Sequence, residues 1–98
     1  MSKEVFEVVD TKTVTLSQFG LMKHAIGIER SRIRRSTYVA YRNYFCCTGK
    51  DVEWESLVGY GLAISRKSLD NNSTYYFVTK EGIRLIERIL EIRVVEGN

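Results

Sequence analysis

The chain has 98 residues, of which 44% are hydrophobic and 28% are charged, a composition typical of one globular domain and not of a disordered chain. No apolar run approaches the roughly 20 residues that span a membrane, and the N-terminus, with Lys3 and Glu4, lacks the apolar stretch of a signal peptide. The formal net charge is +3, but residues 30–42 hold five arginines and no acidic residue, so the rest of the chain carries −2.

The first residues of the chain have strand character, because Val5, Phe6, Val8 and Val9 are β-branched or aromatic. Two interpretations stay open for residues 1–12: a strand that joins a sheet, or a loosely attached arm. We expect one domain over residues 1–98, located in the cytoplasm.

A first helix is predicted to begin after Thr15. Thr15 and Gln18 have the spacing of a capping box, and Val14 and Phe19 occupy the positions of a hydrophobic staple around it. Glycine tolerates the left-handed conformation that ends many helices, so Gly27 is the expected end. Four apolar residues recur at helical spacing before that glycine: Leu16, Phe19, Met22 and Ile26.

The arginine-rich stretch that follows, residues 29–37, has little apolar periodicity and is predicted to be a mobile loop. Residues 38–47 are rich in aromatic and β-branched side chains, so a strand is the first interpretation. A helix with Val39, Tyr41, Arg42 and Phe45 as its repeats is the alternative.

A short second helix is predicted near Asp51, a good N-cap residue, with Trp54, Leu57 and Val58 as its buried face. Residues 62–66 and 73–79 read as the arms of a β-hairpin, because residues 70–72 supply turn-forming side chains.

The last helix is predicted to begin at Thr79, its N-cap, and to run to about residue 94. Its apolar residues cover an arc of roughly 200°, which is wider than one core contact requires. Either the helix is clamped between the hairpin and the first helix, or part of the arc is a homodimer surface. The arc consists of Ile83, Leu85, Ile86, Ile89, Leu90, Ile92 and Val94.

Leu57, Gly61 and Leu62 lie at the end of the predicted second helix, and Val78, Thr79 and Gly82 open the last one. This pattern resembles that of many bacterial winged-helix domains. In those domains a helix ends in a leucine and a Gly-Leu turn, a hairpin called the wing follows, and a Val-Thr-x-x-Gly motif opens the next helix. The resemblance implies an α+β, winged-helix-like fold in the order helix, strand, short helix, hairpin wing and C-terminal helix.

Two further elements, His24-Ala25-Ile26-Gly27 and residues 41–45 (Tyr-Arg-Asn-Tyr-Phe), resemble a group of small proteins encoded by phages and prophages. The resemblance covers roughly residues 15–90 and implies a location in a bacterial host. It implies an origin and no particular activity.

The sequence predicts neither an enzyme nor a cofactor. Cys46 and Cys47 are adjacent, and together with His24 they do not form a recognisable metal-binding pattern, so we expect structural thiols, one buried and one partly exposed. His24 lacks a nucleophile and an orienting carboxylate in any familiar motif and is predicted to be structural.

The arginines are the strongest functional candidates, because the planar guanidinium group suits phosphate oxygens. Tyr38, Tyr41 and Tyr44 lie among them and could stack on unpaired bases. The predicted nucleic-acid-binding residues are Arg30, Arg32, Arg34, Arg35 and Arg42, with Arg66 and Lys67 on the wing. The alternative without a binding role is a solvated loop whose arginines keep the protein soluble or pair with the acidic second helix.

The second helix is poorly suited to read the major groove, since Asp51, Glu53 and Glu55 lie near its N-terminal end, where recognition helices meet bases. We therefore expect a non-catalytic accessory or regulatory module of a phage or mobile element that contacts nucleic-acid phosphates. The alternative is a protein-protein interaction module that docks on a phage or host protein through the last helix and the hairpin.

Overall fold

The computed structural model describes residues 5–9 and 12–97, which form a small mixed α+β domain. Three helices and seven strands alternate along this part of the chain, so the predicted α+β class is confirmed. The elements are β1 (Val5–Val9), β2 (Lys12–Thr15), α1 (Leu16–Ile26), a 3₁₀ turn (Arg30–Arg32), β3 (Thr37–Ala40), β4 (Phe45–Thr48), α2 (Val52–Gly59), β5 (Ala63–Lys67), β6 (Ser73–Val78), α3 (Lys80–Leu90) and β7 (Arg93–Glu96).

The described strands form three separate sheets. β1 pairs antiparallel with β2, β3 pairs parallel with β7, and β4, β6 and β5 form an antiparallel sheet in that order. The predicted hairpin is β5–β6. The strand interpretation is confirmed for residues 5–9, whereas residues 1–4 and 10–11 of the predicted N-terminal segment lie outside the described residues.

The core lies between one face of the three-stranded sheet and the helices. Its centre is Trp54 of α2, whose ring stacks on Phe45 of β4 and on Tyr76 of β6 with centroid distances of 5.5 Å in both cases. The Phe19 side chain and Met22 bring α1 into the same cluster. Burial of these large side chains is the main driving force of the fold.

All three helices begin where their capping residues predict. Thr15 and Gln18 form both hydrogen bonds of the capping box, at 3.1 Å each. The Asp51 carboxylate accepts from the Trp54 amide at 3.0 Å, and the Thr79 hydroxyl accepts from the Gly82 amide at 3.2 Å. α1 ends at Gly27, which has the left-handed φ of 75°.

The last helix is shorter than predicted. It ends at Leu90, Glu91 adopts a left-handed φ of 57°, and the chain continues as β7 beside β3. The prediction of a helix to residue 94 was wrong, because the backbone of residues 93–96 forms hydrogen bonds with β3, a strand distant in the sequence. The Arg93 amide donates to the Ser36 carbonyl at 2.8 Å, which starts that pairing.

The wide apolar arc is filled within the chain. Its seven members are all buried or partly buried against the core, and Ile92 and Val94 lie beyond the end of α3. Dimerisation through the last helix stays a prediction, but the width of the arc no longer supports it, because these side chains pack within the chain.

Residues 38–47 form neither one strand nor a helix. They divide into the end of β3 and the start of β4, which belong to different sheets, with a connection at residues 41–44 between them. Asn43 fixes this connection, because its side-chain amide donates to the Val78 carbonyl at 2.9 Å and its carbonyl accepts from the Val78 amide at 2.8 Å.

Candidate nucleic-acid interface

The arginine segment, residues 30–42, is anchored to the C-terminal end of α1. The last four carbonyls of a helix lack intrahelical partners, and here β3 and the connection that follows it supply several. The Arg42 guanidinium donates to the His24 carbonyl at 2.7 Å, the Tyr44 amide to the Ala25 carbonyl at 3.1 Å, and the Tyr38 hydroxyl to the Ile26 carbonyl at 2.7 Å. The two elements that resemble the phage and prophage proteins, residues 24–27 and 41–45, are therefore in contact with each other.

The predicted mobile loop is instead a 3₁₀ turn followed by a tight turn at residues 34–37. The amide and carbonyl of Arg34 bond to those of Thr37, at 2.8 and 2.9 Å. Arg35 and Ser36 between them have φ of 52° and 59°. Two consecutive left-handed residues are the signature of a type I′ hairpin turn. The backbone is therefore held by its own hydrogen bonds, and Arg34 and Arg35 project from it into solvent.

The five arginines of the segment have different surroundings. Arg32 pairs with Glu29 at 3.2 Å and lies 5.0 Å from the Tyr41 ring centroid. None of the acidic side chains that the structure describes forms an ion pair with Arg30, Arg34 or Arg35. Three exposed guanidinium groups are therefore available to bind an external anion.

Arg42 differs from the other four because the fold itself uses its guanidinium. Besides the bond to the His24 carbonyl, its guanidinium lies 5.5 Å from the Tyr41 ring centroid. Its Nε is buried and has no partner among the described residues. A cation at a helix C-terminus also stabilises the helix dipole.

Arg93 is a basic neighbour that the sequence did not reveal. Arg93 pairs with Thr37 in the parallel β3–β7 register, and its amide donates to the Ser36 carbonyl. This exposed residue therefore lies next to the tight turn at residues 34–37, the arginine turn. The sequence predicted a helix from Thr79 to about residue 94, so Arg93 was not expected in a strand. No local signal in the sequence predicts its parallel pairing with β3.

The two cations predicted on the hairpin point to opposite faces of the sheet. Arg66 pairs with the exposed Tyr75, and Lys67 pairs with the buried Thr74. At the tip, Asp70 accepts hydrogen bonds from Ser68 and Asn72, and the Ser68 hydroxyl holds the pKa of that carboxyl below its usual value. The hairpin therefore carries its positive charge along the strand, and its tip is negative.

Only two of the three predicted stacking tyrosines are accessible. Tyr38 is fully buried, and burial raises its pKa, so its predicted role as a base-stacking residue was wrong. Tyr41 is 55% exposed but already has Arg32 and Arg42 over its ring. Tyr44 is half exposed, and its ring centroid lies 6.4 Å from that of Tyr75.

The acidic residues of α2 take part in the packing of the domain. Glu53 accepts from the Gln18 side-chain amide at 3.0 Å, which links α2 to the cap of α1. Glu55 accepts from the Tyr76 hydroxyl at 2.6 Å, and that hydroxyl accepts from the Asp51 amide at 3.1 Å. Burial, together with the bond to Glu55, raises the pKa of Tyr76 to about 12. These carboxylates keep the N-terminal end of α2 negative.

A groove of about 590 Å³ lies between α3, the end of β7 and the connection at residues 41–44. Charges of both signs line it, so it lacks the uniformly positive surface that attracts phosphates. Its charged residues are Arg42, Lys80, Arg84, Glu87 and Glu96.

The two cysteines are free thiols with different exposure. Cys46 is exposed, and Cys47 is partly buried, which raises its pKa. Exposure is greater than predicted at both positions. His24 is also exposed. Within residues 5–9 and 12–97, no three histidine, cysteine or acidic side chains lie close enough together to hold a metal ion.

Comparison of the chain with protein-family models, with curated proteins and with solved structures finds no match in any of the three. No helix in the described part of the chain is long and apolar enough to cross a membrane.

Proposed function

We propose that this chain is a non-catalytic accessory or regulatory module that binds nucleic-acid phosphates through its arginine segment and its hairpin. The observation that carries the proposal is the arginine turn. Arg34 and Arg35 project from a hydrogen-bonded backbone, Arg93 is held beside them, and no described acid pairs with Arg30, Arg34 or Arg35. Guanidinium groups form charge-assisted, bidentate hydrogen bonds with phosphate oxygens.

Binding through this surface is expected to be independent of base sequence. Contacts to phosphates fix the position of a protein on nucleic acid, whereas contacts to base edges read the sequence. The one short helix that could present a recognition surface, α2, begins with Asp51, Glu53 and Glu55. Phosphates would repel that end.

The order of the elements supports a relation to winged-helix domains, which forms part of the proposal. α1, a strand, α2, the β5–β6 hairpin and α3 follow one another as in that fold. The β3–β7 pair and the β1–β2 hairpin are additions to it. An origin in a phage or mobile element, and a site of action in the bacterial cytoplasm, complete the proposal.

The test is fluorescence anisotropy of labelled single-stranded and duplex DNA, at low and at moderate salt. We expect micromolar or tighter binding that weakens steeply with salt, because released counterions drive it. The Arg34→Ala/Arg35→Ala variant should bind at least about tenfold more weakly, with a duplex salt slope smaller by about 2.

The matched control is Lys80→Ala/Arg84→Ala, which removes the same charge from α3, outside the arginine segment and the hairpin. It should retain most of the affinity. No binding at low salt, or an equal loss in both variants, would overturn the proposal.

A protein-protein interaction module is the second candidate, and the hairpin tip favours it. Leu69 is fully exposed there, and a large apolar side chain at a loop tip is a suitable anchor for a protein partner. Binding through this residue should change little with salt and should be lost in Leu69→Ser, whereas the arginine variant should leave it intact.

A further inference from the structure

The outer face of the three-stranded sheet, on the side away from the core, is exposed and aromatic. Side chains alternate between the two faces of a strand. Thr74, Tyr76 and Val78 of β6 are buried, so Tyr75 and Phe77 point outward. Their cross-strand partners share that face, namely Cys46 of β4 and Ile64 and Arg66 of β5.

These side chains remain accessible. Tyr75 is 37% and Ile64 47% exposed, and Arg66 and Cys46 are also exposed. Phe77 is partly exposed. The Tyr44 ring lies at an angle of 46° to Tyr75 and borders the same surface. The face therefore presents flat rings in a row along one strand.

The charge of the outer face favours a polyanion. The outward positions are Cys46, Thr48, Ser73, Tyr75, Phe77, Ile64 and Arg66, which include one arginine and no carboxylate. Arg66 lies directly opposite Tyr75 in the register. A phosphate beside a base that stacks on Tyr75 would meet the Arg66 guanidinium on the sheet, whereas the carboxylate that acts electrostatically on Tyr75 is that of Asp70 at the hairpin tip.

We infer that this outer face binds single-stranded nucleic acid, with unpaired bases stacked on Tyr75 and Phe77 and a phosphate held by Arg66. This inference rests on the proposed function and names its substrate class. Residues i and i+2 of a strand lie about 6.8 Å apart, so the two rings offer separate places for neighbouring bases. The bases of a duplex are already stacked on one another, so only an unpaired strand gains the energy of stacking on these rings.

The outer face is close to the arginine segment along the chain. Tyr44 lies three residues after Tyr41, whose ring contacts Arg32, and three residues span at most about 11 Å. Tyr44 in turn contacts Tyr75. A series of arginine and aromatic side chains thus leads from the arginine segment to Arg66, and a bound strand can contact both surfaces.

The experiment compares binding of labelled oligothymidylate and of a matched DNA duplex by anisotropy. The Tyr75→Val/Phe77→Val variant keeps β-forming residues and removes both rings. We expect it to bind oligothymidylate at least about tenfold more weakly and the duplex as tightly as before. Arg66→Ala should lower the single-strand salt slope by about 0.7, the value for one lost phosphate contact.

Val52→Ala is the matched control, because Val52 is 80% exposed on α2 and lies outside this face. It should bind both probes normally, and circular dichroism should show native secondary structure in every variant. If the ring variant keeps its affinity for oligothymidylate, the inference falls while the proposed function stands. If the unmodified protein binds neither probe, both fall. A change in sedimentation of the ring variant without a change in oligothymidylate affinity would assign the face to self-association and overturn the inference.

Discussion

The ring of Tyr41 lies against the backbone of Gly27, so that a Cβ atom added at residue 27 would stand 2.7 Å from the Tyr41 hydroxyl oxygen. Gly27 also has a φ of 75°, where residues other than glycine are strained. Two independent requirements therefore act on this glycine. The first is the left-handed backbone at the end of α1. The second is the close approach of Tyr41, whose ring lies beside the guanidinium groups of Arg32 and Arg42.

We expect Gly27→Ala to destabilise the protein by about 2–3 kcal/mol, as the sum of backbone strain and a displaced tyrosine ring. Urea denaturation followed by circular dichroism would measure this. Gly49→Ala is the matched control, because Gly49 has a φ of 72° but nothing within 4 Å of an added Cβ. It should cost only the strain, about 1–2 kcal/mol. Equal losses in the two variants would show that the Tyr41 contact is unimportant.

Substitution of Gly82 is expected to destabilise the protein for a different reason, the lack of space for a side chain. An added Cβ would stand 2.5 Å from the Leu62 carbonyl oxygen and 2.5 Å from a Val78 methyl group. That carbonyl already accepts from the Thr79 amide at 3.0 Å, so it cannot move away freely. Gly82→Ala should lose about 1–3 kcal/mol of unfolding free energy, although alanine favours helices.

The control for Gly82 is Gly20→Ala in α1, where an added Cβ meets nothing within 4 Å. Here the higher helix propensity of alanine should dominate and stabilise the protein by about 0.5–1 kcal/mol. Opposite signs in thermal or urea denaturation are the expected result. A stabilised Gly82→Ala variant would contradict the close packing of α3 against Leu62 and Val78.

Local signals in the sequence predicted the helix starts and the hairpin, because their causes are local. The Thr15 and Thr79 caps each act over three residues, and turn-forming residues join β5 to β6. The parallel β3–β7 pair joins residues more than 50 positions apart, for example Thr37 and Arg93. The apolar residues after Leu90 suit a strand as well as a helix, and only the presence of β3 decides between them.

The candidate interface was predictable in part for the same reason. The accumulation of arginines is visible in the sequence, but the type I′ turn at Arg35 and Ser36 lacks the asparagine or glycine that announces such turns. The use of Arg42 as a helix cap and the burial of Tyr38 depend on where α1 ends in space. The outer face needs the register of three strands before its members can be identified.

Alkaline pH is expected to destabilise the protein through Tyr76. Its folded pKa is about 12, whereas an unfolded tyrosine titrates near 10. Between these values the unfolded chain has released the proton and the folded chain has kept it. The contribution of Tyr76 to the unfolding free energy should therefore be constant below about pH 9 and fall above pH 10, by at most about 1.4 kcal/mol per pH unit. Denaturation curves over that range would measure it.

Tyr76→Phe separates the ionisation from the packing. The variant loses the hydroxyl that donates to Glu55 and accepts from Asp51, so at neutral pH it should be less stable by about 1–2 kcal/mol. Above pH 10 it should lose less stability than the unmodified protein, and the two curves should converge. Tyr38, Tyr75 and Cys47, whose pKa values are also raised in the folded protein, contribute to the loss that remains. Parallel curves would exclude Tyr76 as the cause.

Arg42 should act on binding through the fold. Its guanidinium bonds to the His24 carbonyl and lies over Tyr41, whereas Arg30 is exposed and pairs with no described acid. Arg42→Lys keeps the positive charge but lacks the planar group that reaches both neighbours, so it should lose about 1–3 kcal/mol of unfolding free energy. Arg30→Ala should change stability by less than about 0.5 kcal/mol and reduce DNA affinity. If Arg42 acted only as a phosphate contact, lysine would retain both stability and most of the affinity, and a stable Arg42→Lys variant with normal binding would refute its role as the cap of α1.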